Sequence, residues 1–496
     1  MLCCFYDCIS VSTILPVAAI LAAVYYWYKR PSNMPPGPRG IPFLGVVPFV
    51  EKQSERTFFK WKKDYGSVLS VRMGREDWVV LNDYESIYQA LVKQGSSFSG
   101  RPSVSILDEI TNGHGLAFLD YCEKWKSQRK FGLMTLRGFG VGKKGMEERI
   151  LEEVDFLCNK IRAKNGKPFD IQIILMNAVA NVIWNVVIGH RCEYEDGDFK
   201  RLIDILRKWF SSDGSVYIEM LMYVPHLKYV PPFYTKHKEL KDDISEMLVI
   251  FKRIIEDHEN TYDENNSRDF IDAFILEMKR SQSSSDFTHL QLMQYLRDLF
   301  EAGSETTTST TRWALLCMLH YPETQDKLRE EIMNVIGSSA RPSMSHKTDM
   351  PYMCAFIQEV FRFRTLVPLN VPHKTTEKVN IKGYTIPKGT AVFTNLWAVH
   401  NDPDVWDEPN KFKPERHLDD KGNFVHSNHV IPFSVGPRHC LGEQLARMEV
   451  FIFLVSLVQK FEFLPDPDAK DLPDIENGSH GTVFVPLPYK LLAKEI

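Results

Sequence analysis

Cys440 stands in the run FSVGPRHCLG, Phe433 to Gly442, directly ahead of a stretch whose apolar spacing is that of a long helix. A thiolate there gains from the positive end of the helix dipole and from unpaired backbone N–H groups, which lower its pKa and damp its donor strength. Gly436 and Gly442 let backbone approach something bulky, and Arg438 adds a cation. The chain has nine cysteines, and beyond the first three no two lie closer than about thirty residues, so neither a zinc ribbon nor a CxxC redox pair can be built. A lone soft sulfur is no zinc site, but one axial thiolate is enough to hold haem iron. On spacing alone, a buried structural cysteine fits equally.

A second constellation is AGSETT, Ala302 to Thr307, inside a helix expected from about His289 to Leu319. Glycine followed by Thr306, Thr307, Thr308, Ser309, Thr310 and Thr311 is poor helix material, because β-branched side chains lose χ1 freedom and hydroxyls bond back to the i−4 carbonyl; a bulge is expected. Glu305, charged in an apolar helix, needs a reason to be there. Glu359 and Arg362, in QEVFR, share one helix face at i and i+3.

The elements that must position these residues are mostly helical. Apolar residues recur three and four apart in MEERILEEVDFLCNKI, FKRIIEDHEN and HLQLMQYLRDLFEAG, and short β-type runs occur at Val68 to Met73, Trp78 to Leu81 and Ala391 to Phe393. The fold class expected is mainly α with small β-sheets behind a single N-terminal transmembrane helix. Ile9 to Tyr28 holds twenty residues without a charge, enough for a hydrocarbon core about 30 Å thick, and ends in Tyr25, Tyr26, Trp27 and Tyr28 before Lys29 and Arg30. A cleaved secretory signal would need a basic start and small residues at the cleavage point, both lacking. Residues 1–30 are therefore expected to be a membrane anchor, 31–45 a stiff proline-rich spacer whose Ile41, Phe43 and Leu44 dock on the body, and 46–496 one catalytic domain. The stretches around His258 to Asp269 and Ser281 to Asp286 read as exposed loops. Composition excludes other classes: 60 Lys+Arg against 64 Asp+Glu give a net charge of −4, which offers no excess of positive charge to nucleic acid.

The pattern FxxGxRxCxG, carried by Phe433, Gly436, Arg438, Cys440 and Gly442, resembles the haem-binding signature of the cytochrome P450 superfamily. The anchor, the PPGP segment, FSGRP at 98–102 and RDFIDAF at 268–274 are similar to the microsomal animal branch called family two. The resemblance implies the P450 fold, a haem b cofactor whose iron takes Cys440 as axial thiolate, and Phe433 packed beside the sulfur. It implies haem-propionate contacts from Arg438, from Trp125 and Arg129 of WKSQRK, and from His373. It places Ala302 and Gly303 against the haem face, gives Glu305 and Thr306 proton delivery to dioxygen, and joins Arg416 of PERH to Glu359 and Arg362, with His417 departing from the usual aromatic.

No flavin or nicotinamide fingerprint occurs in the chain. The resemblance supplies the electrons instead from a membrane-bound, NADPH-dependent cytochrome P450 reductase, with cytochrome b5 as a second donor; Lys126 and Lys130 are candidates to meet an acidic partner. It also implies the endoplasmic reticulum membrane, with the catalytic domain facing the cytosol. The activity expected is a monooxygenase acting with O2 on a lipophilic small molecule such as a fatty acid, steroid or xenobiotic. Substrate contacts are expected at Ser103 to Phe118, Ile203 to Met222, Phe300, Ala302, Val367 to Val371 and Gly481 to Val483. The alternatives are a haem-thiolate isomerase or dehydratase working on a peroxide without reductase, and a non-catalytic haem or sterol carrier.

Overall fold

The computed structural model describes residues 11–142, 144–280, 286–481 and 483–496. Two helices form the frame of the site. The first, His289–His320, runs through the interior and is buried along most of its length. The second, Glu443–Lys460, starts at Gly442 and is apolar on all sides from Leu445 to Val458 apart from a few polar residues, so it too must be buried all round. Helix Gln172–Ile188, rich in Val, Ile and Ala, packs along the first of these, and Phe233–Asn260 crosses it.

The β-structure is small. A four-stranded sheet runs Val68–Met73, Glu76–Leu81, Ala391–Thr394, His373–Lys374. The first two strands form a hairpin with Val68 opposite Leu81. The central pair is parallel, Trp78 opposite Ala391, and joins distant parts of the chain. His373 lies on the outer strand, opposite Val392. All three expected strand runs are present, two of them slightly longer than expected.

Several expectations are corrected. The helix His289–His320 is α-helical throughout, with no bulge. Its hydroxyls do bond back, Ser304 to Phe300 O at 2.6 Å, Thr308 to Ser304 O at 2.7 Å and Thr311 to Thr307 O at 2.9 Å, but these bonds satisfy the side chains without breaking the ladder, and packing holds the helix straight. The spacer docks through other residues than expected. Ile41, Phe43 and Leu44 are exposed, whereas Met34, Arg39 and Val46 are buried; Arg39 pairs with Asp77, and Ser70 N donates to Pro36 O at 2.8 Å. His258 belongs to the helix Phe233–Asn260 and bonds Asp269 at 3.1 Å, both buried, so only the middle of that segment is an exposed loop. Of the other expected loop, residues 281–285 lie outside the described residues. Among the described residues no helix is long and apolar enough to cross a membrane. The helix Val11–Tyr28 covers eighteen residues of the expected span, and Ile9 and Ser10 lie outside the described residues.

Candidate active site

The sulfur-bearing loop is fixed by its backbone. Cys440 N donates to Phe433 O at 2.9 Å, which closes the loop on itself. Gly436 has φ +81°, and a Cβ there would lie 1.9 Å from Leu91 O, so only glycine fits. Ser434 is also left-handed at φ +62° and is tied by Asn370 Nδ2 at 2.8 Å. Phe433 meets Phe361 edge to face, centroids 5.3 Å apart, and carries the Arg447 guanidinium over its ring. Cys440 is enclosed deep in the protein, yet its side chain is open rather than packed, so it faces an interior chamber. Burial raises its pKa, and the N–H groups of Gly442 and Glu443 and the charge of Arg129 only partly offset this. The lowering expected from the helix end is therefore outweighed, and a cation at the sulfur must displace the proton.

Beside the loop lie cations that lack counter-charge. Arg438 is buried over the Trp125 ring at 3.9 Å and donates to Ser99 O and Leu119 O at 2.9 and 2.8 Å. Burial and then the charge of Arg101 bring its pKa down to about 8. Arg101 is buried too, donating to Ala117 O, Val371 O and Pro372 O, and is lowered to about 9 by burial and by Arg129. Arg129 donates to His439 O at 2.6 Å. The carboxylate that moderates Arg101 and Arg438 is Asp120, which already takes Lys374 at 2.6 Å. His373 is fully enclosed, not a surface residue. Its Nδ1 donates to Phe98 O at 2.8 Å, and burial and the Arg101 charge hold the ring neutral.

Beneath the loop, Arg362 makes a two-pronged contact with Glu359, at 2.8 and 2.7 Å, both side chains fully buried. Arg416 Nε joins at 3.1 Å. His417 is a further member: Nε2 donates to Glu359 Oε2 at 2.9 Å, and Nδ1 stands 2.9 Å from Gln358 Nε2. Burial alone would raise the Glu359 pKa, but the bonds from Arg362 and His417 and the charges of Arg362 and Arg416 bring it to about 2. The network reaches the sulfur loop through His400. Arg362 donates to its carbonyl at 2.8 Å, and its Nε2 accepts from Ile431 N at 2.8 Å, two residues before Phe433.

On the long helix His289–His320, Ala302 is open, flanked by the half-buried Glu301 and Gly303. Thr306 is half-buried, its hydroxyl exposed and bonded only to Ala302 O at 2.7 Å. At Gly303 a Cβ would meet Ile183 at 3.3 Å, so the missing side chain lets this helix pack closely on the helix Gln172–Ile188. Glu305 is buried and accepts from Ser309 Oγ at 2.6 Å; burial raises its pKa against that bond and the charges of Arg312 and Arg207. It also lines a cavity of about 700 Å³ with Gln172, Arg207, Ser211, Arg312 and His480. Phe300 does not contact a substrate space: it is 2% exposed and packs edge to face on Trp184 and Phe199.

A sequence family described as cytochrome P450 matches residues 35–493. The chain is 36% identical to cytochrome P450 2U1 of Bos taurus over 508 residues, covering 97% of this chain and 92% of that one. It is 39% identical to cytochrome P450 2F2 of Mus musculus over 463 residues, 92% and 93% of the two chains. With cytochrome P450 2C5 of Oryctolagus cuniculus it shares 38% over 474 residues, 95% and 96% covered. The chain belongs to the cytochrome P450 family. It is similar to the animal family-two members of that family, it is a P450 monooxygenase, and its cofactor is haem b with iron and an axial cysteine thiolate.

The residues of this P450 fit that group on two observations. The enclosed but unpacked sulfur of Cys440 offers a soft axial donor, and a Gly442 Cβ would stand at 4.0 Å from it, so the approach is left clear. Buried Arg101 and Arg438 with half-buried Arg129 gather positive charge that suits the two carboxylates on one edge of haem b. His373 Nε2 becomes a donor to such a carboxylate only when the ring is protonated, because Nδ1–H is committed to Phe98. Sequence reasoning missed Arg101, although it stands in the FSGRP run, and His400. Nothing near His400 in sequence marks its link to Ile431.

Proposed function

We propose that Cys440 is the axial ligand and that this P450 oxidises a hydrophobic small molecule, drawing electrons from an NADPH-dependent flavoprotein reductase. The observation that carries the reading is Cys440, enclosed by the fold yet open to an interior chamber, with buried cations beside it. Haem b, when bound, supplies the activation of dioxygen. The chain's own part is to hold and move protons and to exclude water. Thr306 presents a hydroxyl to the chamber, and Glu305, the next residue back, borders the cavity that Arg207 and Arg312 line. Glu305, whose pKa burial raises, is the proton carrier in this reading and Thr306 Oγ the group that passes the proton on. Trp125 and Arg438 close one edge, and Phe433 shields the sulfur from water.

The reductase, with cytochrome b5 as a second donor, belongs to the same proposal and is supported by exposed Lys130 and Lys126, the latter already paired with Glu123 at 2.7 Å. So does the endoplasmic reticulum membrane, held through residues 1–30 with the domain of residues 46–496 on the cytosolic side. The exposed Leu15, Val17, Ile20, Leu21 and Tyr25 support that anchor. The testing experiment is the reduced carbon monoxide spectrum. A red-shifted thiolate band is expected, and an imidazole-like spectrum overturns the ligand. Deleting residues 1–28 is expected to release most of the protein from membranes, and full retention overturns the anchor. A screen of lipophilic compounds by Soret shift then identifies the substrate class.

A further inference from the structure

Glu301 immediately precedes Ala302, and the reaction outlined above gives it no part. Its side chain lies deep in the fold, pressed around by protein, and is still 27% open, as its neighbour Ala302 is open. Its carboxylate accepts no hydrogen bond among the described residues. The nearest cation is Arg297, one turn earlier, whose Nε stands 3.4 Å from Glu301 Oε1 and itself makes no hydrogen bond. Arg297 is fully buried, and its Nη1 is committed to Ile110 O at 2.8 Å. Asp298 is the other acidic neighbour, accepting from Leu116 N and Ala117 N at 2.6 and 2.9 Å and lying 4.0 Å from Arg297.

One guanidinium thus stands against two carboxylates. Asp298 has backbone N–H groups to satisfy it, and Glu301 has none. The next acid along the helix, Glu305, is answered by Ser309, Arg312 and Arg207. Burial, opposed by Arg297 and reinforced by Asp298, pushes Glu301 up to about 7, the mark of a charge without an adequate partner. A buried carboxylate without an adequate partner costs free energy, and a cation seated beside it offsets that cost.

We propose that Glu301 is a specificity-determining residue of the chamber and that it receives the ammonium group of a lipophilic amine, with the apolar body of that molecule lying over Ala302. This rests on the reading of the chamber as the place where a hydrophobic small molecule binds. It selects, within that broad class, substrates that are cations at neutral pH.

The test uses two molecules of one shape, benzyltrimethylammonium and its uncharged carbon isostere neopentylbenzene, neither of which can ligate iron. Binding of each to the haem-loaded enzyme is measured by equilibrium dialysis, for the wild type, Glu301→Gln and Glu301→Asp. Glu301→Gln is expected to weaken the cation about tenfold and to leave the isostere within about twofold, while Glu301→Asp retains the cation. An unchanged ratio between the two probes in Glu301→Gln overturns the proposal. So does a wild type that holds the isostere and refuses the cation, a comparison that needs no variant to fold. If neither probe binds, the hydrophobic chamber itself falls and the proposal with it; binding of the isostere alone overturns only the role of Glu301.

Discussion

The two walls of the chamber are built by opposite means. On the sulfur side the groups are tied by partners from elsewhere in the chain or across the loop: Glu359 by Arg362, Arg416 and His417, Ile431 by His400, and Cys440 by Phe433. On the facing helix, Thr306 bonds only to its own turn and Glu305 chiefly to Ser309, also one turn away. The first wall fixes a position, and the second, under the proposed function, leaves its hydroxyl and carboxyl free to exchange protons. Over-determination belongs where an atom must not move, and loose local bonding where a proton must.

That contrast can be broken most severely at the sulfur. Cys440→Ser should abolish the red-shifted carbon monoxide band altogether; a retained band moves the ligand elsewhere. Glu359→Gln should destabilise the fold by about 3–5 kcal/mol, since it strands buried cations, and chemical denaturation of the holoenzyme reads the loss. The pH dependence has a definite sign. Because the folded pKa of Glu359, about 2, lies below the usual value of 4.5, its contribution is complete above about pH 4.5 and is lost as pH falls towards 2. The acid limb of the stability curve should flatten in Glu359→Gln, and an unchanged limb contradicts the network.

Smaller effects sharpen the comparison. His400→Leu leaves the buried Ile431 N–H without its acceptor and should lose about 1–3 kcal/mol, with the Soret band broadened; a variant as stable as wild type removes His400 from the path. Thr306→Ala forfeits one back-bond within a helical turn and should change stability by less than about 1 kcal/mol. Its effect is expected in coupling, with several-fold less product per NADPH consumed. Unaltered coupling would take the proton-delivery role from Thr306.

The sequence was legible where a residue's neighbours in the chain are also its partners in space. Glu359 and Arg362 share one face at i and i+3, and the strand runs Val68 to Met73 and Trp78 to Leu81 stand side by side in the chain, so local spacing sufficed for each. It failed where partners come from far along the chain. Arg101 meets Val371 and Pro372 across 270 residues, and His400 meets Ile431 across 31, with no local pattern to announce either. His417 looked like a departure in the PERH run and is a hydrogen-bonded member of the charge network. Phe300 was expected from its motif position to contact a substrate, but rotation along the helix turns it into the Trp184 cluster and leaves the Glu301 side chain partly open. The Thr/Ser run misled for another reason: hydroxyl back-bonding weakens an isolated helix, whereas tertiary packing decides a buried one.

The three guanidiniums beside the sulfur also bear on which porphyrin the protein admits. Arg101, Arg129 and Arg438 are pressed together in a poorly solvated corner, and a guest bearing free acids relieves them, whereas the same macrocycle with its acids esterified would leave their repulsion standing. Shape alone cannot distinguish those two molecules at the sulfur. The arginine corner is therefore expected to favour the free-acid porphyrin over its ester, which loading of the apoprotein with each form would check.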